Sequence, residues 1–148
     1  MSIFYLLDYY FRLKSRADWR RKPSKIGNLH LGYVENYGVC KGLFKDKPKE
    51  VLKYQSIFVV CTVLYCIYLM FSRKRSLYQA GWMLIAIGGM GNLWDRAMNG
   101  FVTDYMSIDG KLYFNIADIF VFAGACMVFL TEVYDLLAKT KKVKYPEA

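Results

Sequence analysis

Four cysteines are too few and too scattered to define this chain. Cys61, Cys66 and Cys126 lie inside apolar runs and Cys40 lies in a connecting stretch. Their spacing matches no zinc motif, and no disulfide is expected between positions inside apolar segments. Cys40 is not expected to carry a lipid, because no cleavable apolar segment precedes it. Internal repeats and low-complexity tracts are also missing, which excludes solenoid and linker-type architectures. Acidic residues are scarce: 12 Asp and Glu stand against 21 Lys and Arg, a formal charge of +9. At 148 residues the length suits one domain.

What is abundant is apolar: 55% of residues are hydrophobic and 18% aromatic. That composition conflicts with the charge in a soluble globule. It fits a membrane protein whose basic residues flank lipid-facing segments. A nucleic-acid binder would mix its basic residues into folded polar structure. Here they bracket apolar runs instead, so no nucleic-acid partner is expected.

Three runs predict transmembrane helices, each near the roughly 20 apolar residues a crossing requires. The first spans about 54–71 and stops at Arg73, Lys74 and Arg75. The second spans about 77–94 and contains Gly81, Gly88, Gly89 and Gly91, which suit close helix approach in a membrane. The third spans about 116–137 and leads into a lysine-rich tail, 138–148. Before them, Ile3 to Leu13 is apolar but interrupted by Asp8 and Arg12. At about 11 residues it is half a span, either a truncated first helix or an interfacial one. Residues 14–53 form a polar, basic region in which Leu29 to Val34 suggests a short strand. The expected fold is therefore a single all-α membrane domain over 1–148: a small helix bundle, with a short first helix at 3–13 and a small β-containing region.

Charge alone leaves the orientation open. The Arg73–Arg75 turn and the tail share one side, which the positive-inside rule makes cytoplasmic, yet the basic 14–53 region falls on the other.

Carboxylates avoid the edge of a hydrocarbon layer unless they are paired or put to work. Asp104, in Val-Thr-Asp-Tyr-Met, and Asp118, in Phe-Asn-Ile-Ala-Asp, sit at opposite ends of a short loop between apolar stretches. Brought together they can share one proton and activate water, a chemistry that needs no metal and no cofactor. Asn92, Asp95 and Arg96 fall on one helix face at the end of the second run. Arg96 is a candidate to orient a carboxylate or a substrate carbonyl. Asn115 and Asp118 also suit a purely structural role, an N-cap and a third-position acid at the start of a helix. Capping and catalysis are compatible.

The blocks Gly88 to Arg96, Gly100 to Met106 and Phe114 to Asp118, in that order, resemble the signature blocks of bacterial lipoprotein signal peptidase, signal peptidase II. Val34 to Gly42 resembles the family's Asn-x-Gly block, and Asp8 and Arg12 resemble an acidic and a basic residue four apart in its first helix. The resemblance implies a four-helix aspartic endopeptidase of the bacterial cytoplasmic (inner) membrane with both termini in the cytoplasm. Its substrates are prolipoproteins, cut just before a cysteine that already carries diacylglycerol. Carried over, Asp104 and Asp118 become the catalytic pair, facing the extracytoplasmic side. Asn36, Asn92, Asp95, Arg96 and Asn115 become the residues that support the pair and hold substrate. The implied partners are lipid-modified prolipoproteins and membrane lipids, and a monomer is expected.

Three features depart from the family pattern: the short first helix, Gly38-Val39-Cys40-Lys41 where small residues and Phe are usual, and a short Asp104–Asp118 segment. They leave a catalytically silent, lipoprotein- or partner-binding protein as the alternative. An ion or proton pathway fits less well, since the acids cluster at one end of the bundle.

Overall fold

The computed structural model describes residues 3–39 and 43–144. Four helices and three short strands follow one another as α1 (Ile3–Lys14), β1 (Ser24–Ile26), β2 (Leu29–Asn36), α2 (Pro48–Met70), α3 (Ser76–Asn99), β3 (Val102–Ser107) and α4 (Ile116–Lys144). A π-helical turn, Ser15–Trp19, continues α1. Cys40, Lys41 and Gly42, where the Asn36 block departs from the family pattern, lie outside the described residues.

The helices are built for an apolar surrounding. On α1 the charged Asp8 and Arg12 are buried, while Ile3, Phe4, Leu6 and Tyr10 face outward. That is an amphipathic helix turned inside out, and water would not tolerate it. On α2 and α4 only 17% of the most apolar window is buried. A core helix of a soluble protein would be mostly covered, so these two are lipid-facing by length, composition and exposure.

Of the three expected spans, α2 and α4 are long and apolar enough to cross a membrane. Between them α3 is the central helix, and its covered face trades apolar bulk for close approach and polar chemistry. Tyr78, Gly81, Ile85, Gly88 and Asp95 recur along that face at helical spacing. A Cβ added at Gly81 would lie 2.8 Å from the Gly124 carbonyl oxygen and 2.9 Å from Val128 Cγ2. One at Gly88 would meet the Ala117 carbonyl. Backbone therefore packs on backbone along the α3–α4 seam, the way membrane helices associate without a hydrophobic driving force.

Boundaries also differ from the sequence expectations. α2 starts six residues before Tyr54, with Pro48 in its first turn, where a missing N–H costs nothing. α3 runs on past Trp94 to Asn99 because Asp95 and Arg96 find buried partners instead of ending the helix. It stops at Gly100, whose φ of 81° lets its N–H return to the Arg96 carbonyl at 2.8 Å. This left-handed cap sends the chain straight into β3, so Asp104 lies on a strand and not in a loop. β3 went unrecognised because both its faces are covered, which removes the alternation that marks a half-buried strand.

The strands form one antiparallel sheet in the order β1-β2-β3. Gly27, at φ 59°, makes the tight turn between Ile26 and its partner Leu29. Pairing of β2 with β3 sets Val34 opposite Asp104 and Asn36 opposite Val102. The sheet thereby carries Asn36 to the end of the bundle where α3 ends and α4 begins.

Gly81→Val is expected to lower the unfolding free energy of the detergent-solubilised protein by about 1–3 kcal/mol through overpacking, read as a shift of the unfolding midpoint.

Candidate active site

The site is built from asparagines. Asn115 caps α4: its side-chain oxygen accepts the Asp118 N–H at 2.9 Å, and its own N–H donates to Asp118 Oδ2 at 3.1 Å. The remaining end of the same amide donates to Asp104 Oδ1 at 2.7 Å. One fully buried side chain thus holds both aspartates. Asn36 donates to Asp104 Oδ2 at 3.0 Å, oriented by its oxygen accepting the Gly38 N–H. Asn92 donates to Asp118 Oδ1 at 2.7 Å, oriented by Arg12 donating to its oxygen at 2.8 Å. Asp104 and Asp118 each receive two hydrogen bonds from neutral donors, and among the described residues neither forms an ion pair.

That environment has an electrostatic consequence. A carboxylate beside a guanidinium would stay ionised, whereas neutral donors in a buried site leave the proton available. Burial, reinforced by the negative charge of Asp118, pushes the Asp104 carboxyl up to about 7. With both acids held on one asparagine, loss of the first proton makes the second harder to remove.

Behind the pair stands an ion-paired frame. Arg12, only 3% exposed, donates through Nε to Asp8 at 2.7 Å, through one terminal nitrogen to Asp95 at 2.8 Å and through the other to Asn92. Asp95 also accepts the Thr103 N–H at 2.6 Å and Arg16 at 2.5 Å. Tyr105 closes the frame, donating to Asp8 at 2.9 Å while accepting the Ile116 N–H. Its ring stacks on Phe11 and leans on Trp19. The first helix is thereby fixed to the third helix and to the strand that carries Asp104.

The structure brings Asn36, Asn92, Asp104, Asn115 and Asp118 together. It separates Asp95 from Arg96. Although adjacent on α3, Asp95 turns into the ion-paired frame, and Arg96 turns the other way. Arg96 donates to Gln55 and to the carbonyl oxygens of Gly38, at 2.5 Å, and Asn36, at 3.4 Å. Its Nε is buried with no partner among the described residues. In this state Arg96 orients backbone carbonyls of the β2 end, not a carboxylate. Sequence reading missed Arg16, Gln55, Thr103 and Tyr105. Of these only Arg16 left a signal, since Asp8, Arg12 and Arg16 follow at steps of four on one helix face.

A cleft of about 600 Å³ opens beside Asp118. Asn36, Asn92 and Arg96 form its polar end, and Tyr54, Phe58 and Val121 line its apolar wall. The cleft therefore presents a carboxylate at the end of an apolar groove between helices that face lipid.

Fold and site define a helical membrane enzyme. Two solved bacterial membrane enzymes share the architecture. One has a TM-score of 0.66 at 17% identity, covering 98% of this chain and 93% of its own. The other has a TM-score of 0.60 at 16% identity, covering 89% and 93%. A family model for signal peptidase (SPase) II matches residues 1–134. The lipoprotein signal peptidase of Caldicellulosiruptor bescii is 31% identical, covering 86% of this chain and 83% of that protein. That of Clostridioides difficile is 38% identical, covering 78% and 76%. The chain belongs to the signal peptidase II family.

Arg12→Met leaves Asp8 and Asp95 buried around an apolar stem, and is expected to cost about 3–5 kcal/mol of unfolding free energy, with Arg12→Lys losing less. Chemical unfolding in detergent measures both. Asp104 generates a second expectation. Its folded-state pKa is raised above the unfolded value, so the folded state holds this proton longer. Stability is lost as pH rises from about 4 to about 7, at no more than about 1.4 kcal/mol per pH unit. Asp104→Asn removes that slope, so the variant is expected to gain on wild type in melting temperature between pH 5 and pH 8. A constant difference across that range contradicts it.

Proposed function

We infer that this chain removes the signal peptide from diacylglyceryl-modified prolipoproteins, cutting before the lipidated cysteine, with Asp104 and Asp118 as the catalytic pair. One observation carries the assignment: two carboxylates held on a single asparagine by neutral donors, beside an apolar cleft.

The chemistry follows from that geometry. Asp104, with its raised pKa, holds the shared proton and donates it to the carbonyl oxygen of the scissile peptide. Asp118, ionised and facing the cleft, takes a proton from water as the water oxygen bonds to the carbonyl carbon. The tetrahedral intermediate collapses when Asp118 returns its proton to the leaving amine and the C–N bond breaks. Asp104 recovers its proton as the carbonyl re-forms. Asn36, Asn92 and Asn115 keep the carboxyl groups in register, and Arg96 braces the β2 end that overhangs the cleft. Each buried CH₂ of the substrate's acyl chains contributes about 0.8 kcal/mol, so lipid anchoring supplies much of the affinity.

The whole chain acts as one membrane-embedded unit, with α1 and α3 crossing beside α2 and α4, both termini cytoplasmic and the pair near the extracytoplasmic surface. Two features support this orientation. The basic Arg73–Arg75 turn lies at the far end of α2 and α3 from the pair. On the pair's own side, positive charge is partly neutralised, Arg16 by Asp95 and Arg20 by Glu35 at 3.9 Å. The positive-inside bias then falls on the turn and the lysine tail.

Asp104→Asn and Asp118→Asn are each expected to reduce cleavage of a diacylglyceryl-modified precursor by roughly 10² to 10⁴-fold or more, with membrane insertion unchanged. Normal processing by both variants removes the assignment.

A further inference from the structure

Asn36 stands on the wall between two clefts. The apolar one reaches Asp118; a second, of about 770 Å³, reaches Asp104. Glu35, Tyr37, Lys45, Asp109, Lys111 and Tyr113 line this second cleft, giving it a more polar wall than the first. A peptide whose scissile bond sits between the two aspartates therefore has one end in each.

The substrate's chemistry decides which end goes where. The signal segment and the diacylglyceryl group are both apolar and belong with the apolar cleft and the lipid. The chain that follows the cysteine is the polar part, and the polar cleft is what remains for it. An extended residue covers about 3.3–3.6 Å, so the first two or three residues after the cysteine fall within this cleft.

Its charges are unequal in availability. The Glu35 carboxylate accepts the Tyr33 and Tyr37 hydroxyls at 2.7 and 2.6 Å and faces Arg20. Asp109 accepts the Ser107 hydroxyl and the N–H groups of Lys111 and Leu112, closing its own turn. Lys45 and Lys111 are exposed, and neither forms an ion pair among the described residues. The acids have their oxygens occupied by internal donors, whereas the ammonium groups have no partner among the described residues. We propose that this cleft is the subsite for the mature side of the cleaved chain, and that Lys45 and Lys111 select acidic over basic side chains there.

The proposal rests on the peptidase assignment, and one experiment separates the two. Three lipopeptides share an apolar signal segment and a diacylglyceryl cysteine, followed by Glu-Glu, Ser-Ser or Lys-Lys. The purified full chain cleaves them in neutral detergent micelles, which excludes anionic headgroups. The expected order of kcat/KM is Glu-Glu, Ser-Ser, Lys-Lys, with steps of about two- to fivefold, the size of solvent-exposed ion pairs, shrinking at high salt. In the Lys45→Glu/Lys111→Glu double variant the order of the three is expected to reverse, whatever the overall rate. Equal cleavage of all three by wild type, or an unchanged order in the double variant, overturns the subsite while leaving the peptidase intact. A charge preference present only in anionic vesicles assigns the lysines to lipid headgroups and overturns it as well. No cleavage of any lipopeptide removes the peptidase assignment and the subsite together.

Discussion

Everything in this molecule turns on one buried guanidinium. Arg12 is shared by Asp8 of its own helix, Asp95 and Asn92 of α3 and, more weakly, the Thr103 carbonyl of β3 at 3.4 Å. A cation so deeply enclosed persists only because its donors are matched one by one. With Arg16 added, two positive charges meet two negative ones, and the cluster is neutral. The arginine's hydrogen bonds reach Asp118 only through the Asn92 amide. The cation thus organises the site without fixing the charge of the pair.

This division of labour explains why α3 carries adjacent residues of opposite sign that never meet. Asp95 faces the frame and Arg96 faces the cleft. The two sides of one helical turn thus serve the buried ion pairs and the cleft separately. The glycine seam earlier in α3 allows this, because the helix approaches α4 closely enough for Asn92 to reach Asp118.

What was legible in the sequence follows from where each signal is stored. α2 and α4 were visible because lipid-facing residues form unbroken runs, and so were the two aspartates, because acids at such a boundary stand out. The capping role of Asn115 was visible because it is local to four residues. β3 was hidden by being covered on both faces. The weight carried by α1 was hidden because eleven mixed residues resemble half a span, and only the fold reveals that its charged side faces inward. Gln55 could not be found at all: its partner Arg96 sits on another helix, and nothing near Gln55 in sequence marks the meeting.

The double use of Asn115 has a consequence for the order of synthesis. The residue that starts α4 is also the one that joins Asp104 to Asp118, and the frame behind them is anchored in the first helix. A chain still emerging from the ribosome has Arg12 long before, and Asp104 shortly before, it has the last helix. Until that helix enters the bilayer, neither carboxylate has its partner or its bridging amide. The joined pair of carboxylates therefore exists only once the first helix and the last are both in place.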